Sequence, residues 1–175
     1  MQVNTFRTRD CVVLYKGDAY PVEIDITLAA TGWPGGQGVM WASDPSDGFF
    51  VKRSDGLYAG FLLDGSNEGG DQFTGMTQAQ RVYRIGTLCA GGWLIATRTF
   101  EKYTWASRQI PGGPLVPIVY TESDRLLFSN RGWLTKEDEW TLSGDPRAPN
   151  AYYIAFVVQA PTVSSGGFMS IQTSI

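Results

Sequence analysis

Apolar and polar residues alternate in short runs along most of the chain, and β-branched and aromatic residues fill many of the apolar positions. Alternation with a period of about two residues is the pattern of β-strands. It predicts strands at residues 2–7, 11–16, 22–28, 38–42, 48–52, 57–63, 82–88, 93–96, 98–104, 117–120, 126–129, 140–142 and 152–159.

Gly, Pro, Asp, Asn and Ser separate most of these strands, as in the compact turns KGD (16–18), SDG (54–56) and NRG (130–132). Helix signals are few: residues 76–83 could form two turns, and TKED at 135–138 resembles a capping box. Trp140 and Thr141 favour a return to strand after that box. The pattern predicts an all-β fold, a small β-barrel or sandwich of short strands.

The two ends differ from the middle of the chain. We expect an extended N-terminal arm at 1–10, one barrel or sandwich domain at 11–161, and a C-terminal arm at 162–175. The last segment joins a Ser-Ser-Gly-Gly hinge to an apolar, β-prone end. It either returns to its own sheet or adds a strand to a neighbouring subunit, because its apolar residues need burial.

Composition argues against most catalytic chemistry. The 175 residues include no histidine, which removes the commonest general base and the commonest metal ligand. The charged fraction is 18% and the aromatic fraction 13%. A surface with few charges indicates either a partner-covered face or a compact β-protein with little exposed helix.

Charge and cysteine content bear on the class of partner and on the compartment in which the protein is made. The net charge of −3 comes without a basic run, which disfavours nucleic-acid binding. There is no apolar stretch long enough for a membrane span and no signal-peptide pattern, so synthesis in a cytoplasm is expected. Cys11 and Cys89 both lie in apolar runs. They read as buried thiols, with a disulfide or a reactive thiol as alternatives.

Two groups of residues could carry chemistry. The acidic loop DGSNEGGD at 64–71 is either a solvated loop or a calcium site. A pair of carboxylates could hydrolyse a glycosidic bond, and the tryptophans could stack on a sugar. The residues concerned are Glu101, Glu122, Asp124, Glu137, Asp138 and Glu139 together with Trp93, Trp105, Trp133 and Trp140. Tryptophans at strand spacing are more often part of a core than of a sugar-binding face. Sequence spacing also does not show that two carboxylates face each other across a cleft. We therefore predict no catalytic residue, no cofactor and no metal ligand.

The second half of the chain carries a familiar series of segments. They are RIG (84–86), WLIAT (93–97), PGGPLVPIVY (111–120), TESDRLLFSNRGWLT (121–135) and YYIAFVVQAP (152–161), and DGLYAGFLL (55–63) fits the same idiom. This succession of a Pro-Gly turn, a strand ending in Tyr, a glycine turn and a closing apolar strand resembles the β-barrel decoration, or cement, proteins of tailed-bacteriophage heads.

The resemblance implies a non-enzymatic virion structural protein. Such a protein is made in the host cytoplasm, sits on the capsid exterior, often as a trimer, binds the major capsid protein and stabilises the lattice. We expect its arms to supply contact residues, namely Phe6, Arg7, Phe168, Met169 and Ile171. The alternative is a carbohydrate-binding or adhesion module of a tail fibre or baseplate, which predicts exposed Trp or Tyr beside Asp and Asn in a shallow groove.

Overall fold

The computed structural model describes residues 11–15, 18–24, 36–41, 50–53, 60–62, 85–148 and 153–174. Strands dominate this part of the chain, and its two helices are short. The strands are β1 (Cys11–Tyr15), β2 (Asp18–Ile24), β3 (Gln37–Trp41), β4 (Phe50–Arg53), β5 (Gly60–Leu62), β6 (Ile85–Gly91), β7 (Leu94–Thr97), β8 (Arg125–Phe128), β9 (Leu134–Thr135), β10 (Ala155–Gln159) and β11 (Met169–Thr173). The helices are α1 (Trp105–Arg108) and α2 (Glu139–Ser143).

The strands form two sheets. A six-stranded sheet has the order β1-β7-β11-β10-β8-β9, and five strands close into a barrel in the order β2-β4-β3-β5-β6. The pairings are antiparallel except for that of β2 with β4. The predicted all-β class is therefore confirmed.

The core lies under the six-stranded sheet. Alternate residues of β11 and β7 point inward, since Met169, Ile171 and Ile95 are all fully buried. Ile171 pairs with Ile95 on one side and with Val157 on the other, so three apolar side chains meet across three strands. With Ile95, the largest fully buried side chains of this core are those of Trp93, Phe128, Leu126, Leu134 and Ile154.

The barrel strand β3 approaches this core closely at Gly38. The Gly38 N–H donates to the Gly132 carbonyl over 2.7 Å. A Cβ at Gly38 would overlap the ring of Phe128, so glycine is the residue that fits against this buried ring.

The C-terminal segment forms the interior of the sheet. β11 lies between β7 and β10 and pairs with both. The sequence left open whether this segment pairs with its own sheet or adds a strand to a neighbouring subunit. In the structure it pairs with its own sheet. The N-terminal arm at 1–10 and the segments at 76–83 and 64–71 lie outside the described residues.

Three predicted strands are corrected. Residues 140–142 lie in α2, because the Asp138 carboxylate accepts the Thr141 N–H over 3.1 Å and Gly144 ends the helix with a φ of 72°. Residues 98–104 and 117–120 form only isolated bridges, at Phe100 and between Tyr103 and Pro117. The sequence also missed α1 and β9.

Candidate functional site

A mixed polar and aromatic cleft lies between α1 and the turn that joins β8 to β9. In this turn the Gly132 N–H donates to the Ser129 carbonyl over 2.9 Å, and Gly132 has a φ of 71°. The Ser129 N–H in turn donates to the Trp133 carbonyl over 2.7 Å. The tight reversal leaves Asn130, Arg131 and Trp133 at the wall of the cleft, opposite α1.

The helix α1 supplies the other wall. Thr104 caps it by accepting the Ser107 N–H, and Arg108 occupies its last turn, where a cation is favoured. The Glu137 carboxylate accepts the Trp105 N–H over 2.7 Å and so fixes the start of the helix to the segment after β9.

The base of the cleft is a buried ion-pair cluster centred on Glu101, whose side chain is fully buried. One carboxylate oxygen accepts the Ser129 hydroxyl over 2.7 Å and the Arg131 Nε–H over 3.0 Å. The other accepts Arg131 Nη2, which makes a bidentate pair, and Arg108 Nη1 lies 3.5 Å from the first oxygen. The hydrogen bonds to Glu101 raise the pKa of Arg131, so this guanidinium stays charged.

Glu139 extends the cluster. It pairs with Arg108 Nη2 and accepts the Asn130 N–H over 3.1 Å. Burial raises the pKa of Glu139, although the hydrogen bond from Asn130 and the charge of Arg108 act in the opposite direction. Arg108 therefore joins two buried carboxylates and also donates to the Tyr103 carbonyl over 3.0 Å.

The cleft above this cluster has a volume of about 480 Å³. The described residues that line it are three cationic side chains, two aromatic rings, two amides and one leucine: Lys102, Arg108, Arg131, Tyr103, Trp133, Gln109, Asn130 and Leu115. The Arg131 guanidinium stacks on Trp133 at 4.6 Å from the ring centroid. The cations therefore line the cleft, while the carboxylate of Glu101 lies behind them.

A smaller cavity of about 190 Å³ lies on the other side of Asn130. It is bordered by Trp140, whose Nε1–H is buried and has no hydrogen-bond partner among the described residues. The Arg147 guanidinium covers that ring at 4.1 Å from its centroid.

A third feature is an exposed apolar loop at residues 110–119, which we call the apolar loop. Its large side chains face outward: Ile110 is 60% exposed, Leu115 and Val116 are each 52% exposed, and Val119 is 70% exposed. Its backbone is nevertheless fixed, because the Thr104 N–H donates to the Val116 carbonyl and the Ile118 N–H to the Lys102 carbonyl, each over 2.9 Å. The loop adjoins the cleft through Leu115.

The six carboxylates that the sequence offered for hydrolysis have different structural partners. Glu101 and Glu139 are brought together by Arg108, and both are engaged in ion pairs. Asp138 caps α2, and Asp124 pairs with Lys136 over 3.0 Å. Glu137 holds α1, and Glu122 is exposed.

The four tryptophans that were candidates for stacking on a sugar divide into two pairs. Trp93 and Trp140 are buried, as expected for core residues. Trp105 and Trp133 are partly exposed, and Trp133 lies in the cleft with Tyr103 and Asn130.

The expected contact residues are placed as follows. Met169 and Ile171 are fully buried in their own sheet, so neither side chain has exposed surface in this chain. Their role in partner contact stays a prediction. Phe168 is half-buried beneath Arg98, whose guanidinium lies 4.4 Å from the ring centroid. Phe6 and Arg7 lie outside the described residues.

The sequence did not indicate the cleft. Its residues come from two segments about thirty positions apart, since Glu101 pairs with Arg131 across a separation of 30 residues. The one local signal is the arginine two residues before Trp133, a spacing that could have been recognised as a stacked pair.

The described part of the chain contains no group of three or more Cys, Asp or Glu side chains placed to hold a metal ion. None of its helices has the length and apolar character needed to cross a bilayer. Comparison of the chain with protein families, curated proteins and solved structures found no match.

Proposed function

We propose that this chain is a non-enzymatic structural protein of a tailed-phage virion that binds the outside of the head and stabilises the capsid lattice. The observation that carries the proposal is the apolar loop, in which four large apolar side chains are exposed on a fixed backbone. Several exposed apolar side chains on one fixed loop are typical of a surface that a partner covers.

The rigidity of the loop matters for the energy of binding. A loop that must become ordered on binding loses part of the interaction energy to conformational entropy. Hydrogen bonds from Thr104 and Ile118 already fix this loop, so little further ordering is required. Burial of one aliphatic anchor contributes about 1 to 2 kcal/mol, and several anchors would support an interface of about 1,600 Å².

The proposed partner is the major capsid protein, and the proposed assembly state is a trimer on the capsid exterior. Light scattering of the purified protein tests the assembly state directly. A trimer supports the proposal, whereas a monomer at all concentrations favours a lone binding domain.

The capsid contact is tested with heads from phage that lack this protein. Leu115→Ser and Val119→Ser should each weaken binding to such heads by about tenfold, because each removes an exposed anchor. Val163→Ser is the matched control, since Val163 is 99% exposed and lies outside the loop. The proposal is overturned if the wild-type protein does not bind the heads.

A second candidate is a carbohydrate-binding module, favoured by the presence of Tyr103, Trp133 and two amide side chains in one cleft. Aromatic rings can stack on sugar faces, and amides can hydrogen-bond to hydroxyl groups. Titration with sugars, followed by tryptophan fluorescence, tests it. No response across a glycan array would exclude this candidate.

A further inference from the structure

The described residues of the cleft present more positive than negative charge to solvent. Glu101 neutralises part of the charge of Arg131, but Glu101 is fully buried behind the cleft whereas the Arg131 side chain is 48% exposed. Lys102 is exposed and has no ion pair to any described residue. An anionic group that enters the cleft therefore meets two cations before it meets the buried carboxylate.

The guanidinium of Arg131 and the backbone of Lys102 are also held in place. Arg131 is fixed from one side by its bidentate pair with Glu101 and from the other by the ring of Trp133. The carbonyl of Lys102 accepts the Ile118 N–H, so the backbone that carries this lysine is tied to the apolar loop. A charge that is fixed before binding, as that of Arg131 is, loses little entropy when a ligand arrives.

The neighbouring surface indicates the class of ligand. Leu115 belongs both to the cleft and to the apolar loop, so a charged pocket and an exposed aliphatic surface are continuous. A sugar acid would use the cations but has no apolar side chain to place on Leu115. A polypeptide that carries an acidic side chain beside apolar residues uses both parts.

We infer that the cleft binds an aspartate or glutamate side chain of a polypeptide partner, with its carboxylate at Lys102 and Arg131 and its flanking apolar residues on Leu115. The inference rests on the proposed function, in which that partner is a virion protein. It assigns the cleft as the polar half of an interface whose apolar half is the loop at 110–119.

The test uses the full chain and two tripeptide probes, acetyl-Leu-Glu-Leu-amide and its glutamine counterpart, followed by amide resonances in NMR titrations. The glutamate peptide should shift the resonances of Lys102 and of the turn at 130–133. The glutamine peptide should bind about tenfold more weakly, because it lacks the charge. Added salt should weaken the binding of the glutamate peptide alone.

Two variants distinguish binding of the glutamate peptide in the cleft from nonspecific attraction to other parts of the protein surface. Lys102→Met should remove most of the glutamate preference. Lys136→Met is the matched control, since Lys136 is 35% exposed and pairs with Asp124 outside the cleft. Equal binding of the two peptides, or no binding of either, overturns the inference, as does binding of glucuronate at these residues without binding of the peptides.

Head binding keeps this result separate from the proposed function. If wild-type protein binds heads and Lys102→Met binds them equally well, the cleft inference is overturned and the proposed function stands. If wild-type protein fails to bind heads while the glutamate peptide occupies the cleft, the proposed function is overturned and the cleft inference stands.

Discussion

Glu101 is the residue on which the geometry of the cleft depends. Its carboxylate is fully buried and receives hydrogen bonds from Ser129 and Arg131. A buried charge is costly unless it is fully paired, and here every partner also belongs to the wall or the base of the cleft. The side chain therefore acts as a positioning group for Arg131.

Replacement of Glu101 by glutamine should lower the free energy of unfolding by about 2 to 3 kcal/mol, because it removes charge-assisted hydrogen bonds. The loss stays below that of a fully buried pair since Arg131 can reach water and Arg108 retains Glu139. Urea unfolding measures the change. Glu122→Gln, at an exposed position, should change the value by less than about 0.5 kcal/mol. Equal effects of the two variants would contradict this role.

Tyr120 gives the fold a dependence on alkaline pH. Burial raises the pKa of its phenol, and the hydroxyl donates to the Glu101 carbonyl over 2.7 Å. A phenol with a raised pKa in the folded state contributes stability that is complete below the unfolded pKa of about 10. That contribution is lost as the pH rises further.

Wild-type protein should therefore be more stable than Tyr120→Phe by about 1 kcal/mol near neutral pH, owing to the hydrogen bond. This advantage should shrink between about pH 9 and about pH 11. Unfolding curves of both proteins across that range measure it. A stability difference that does not change with pH would show that Tyr120 ionises as freely in the folded state as in the unfolded one.

At the scale of elements, β11 is the strand that places the C-terminal segment inside the six-stranded sheet. It pairs with β7 and β10 at once, and Ile171 is in contact with both neighbours in the register. Ile171→Ala should lower the free energy of unfolding by about 2 to 5 kcal/mol, since it leaves a cavity in the core.

Val163→Ala, in the same segment but almost fully exposed, should change the value by less than about 0.5 kcal/mol. Both variants are compared by chemical denaturation. If Ile171→Ala left the unfolding free energy unchanged but dissociated an oligomer, the segment would belong to a neighbouring subunit.

The elements also show what the sequence could and could not predict. Period-two alternation identified β1, β7, β8 and β10, because each has one buried and one less buried face or a run of apolar residues. It failed at 140–142, where the local choice was decided by the Asp138 cap and by Gly144 rather than by the β-propensity of Trp140 and Thr141.

The cleft lay beyond prediction for a different reason. Its charges are assembled by the fold from the segment before α1, from the two helices and from the turn between β8 and β9. Sequence spacing does not report which carboxylate meets which arginine. The buried position of Glu101 illustrates the point, since a glutamate followed directly by a lysine in the sequence gives no sign that two arginines enclose it.

At the scale of the molecule, the fixed apolar loop and the adjoining cationic cleft form one continuous surface through Leu115. The core and the ion-pair cluster hold this surface in one conformation. Such a preorganised surface suits a protein that acts by attaching to another surface, since shape and charge are set before contact.

The most direct test of the proposed role is the temperature at which heads lacking this protein release their DNA, measured with and without the purified protein added back. A cement protein adds interface area across the lattice, so the release temperature should rise on addition and reach that of wild-type heads. An unchanged release temperature at saturating protein would contradict a role in capsid stabilisation.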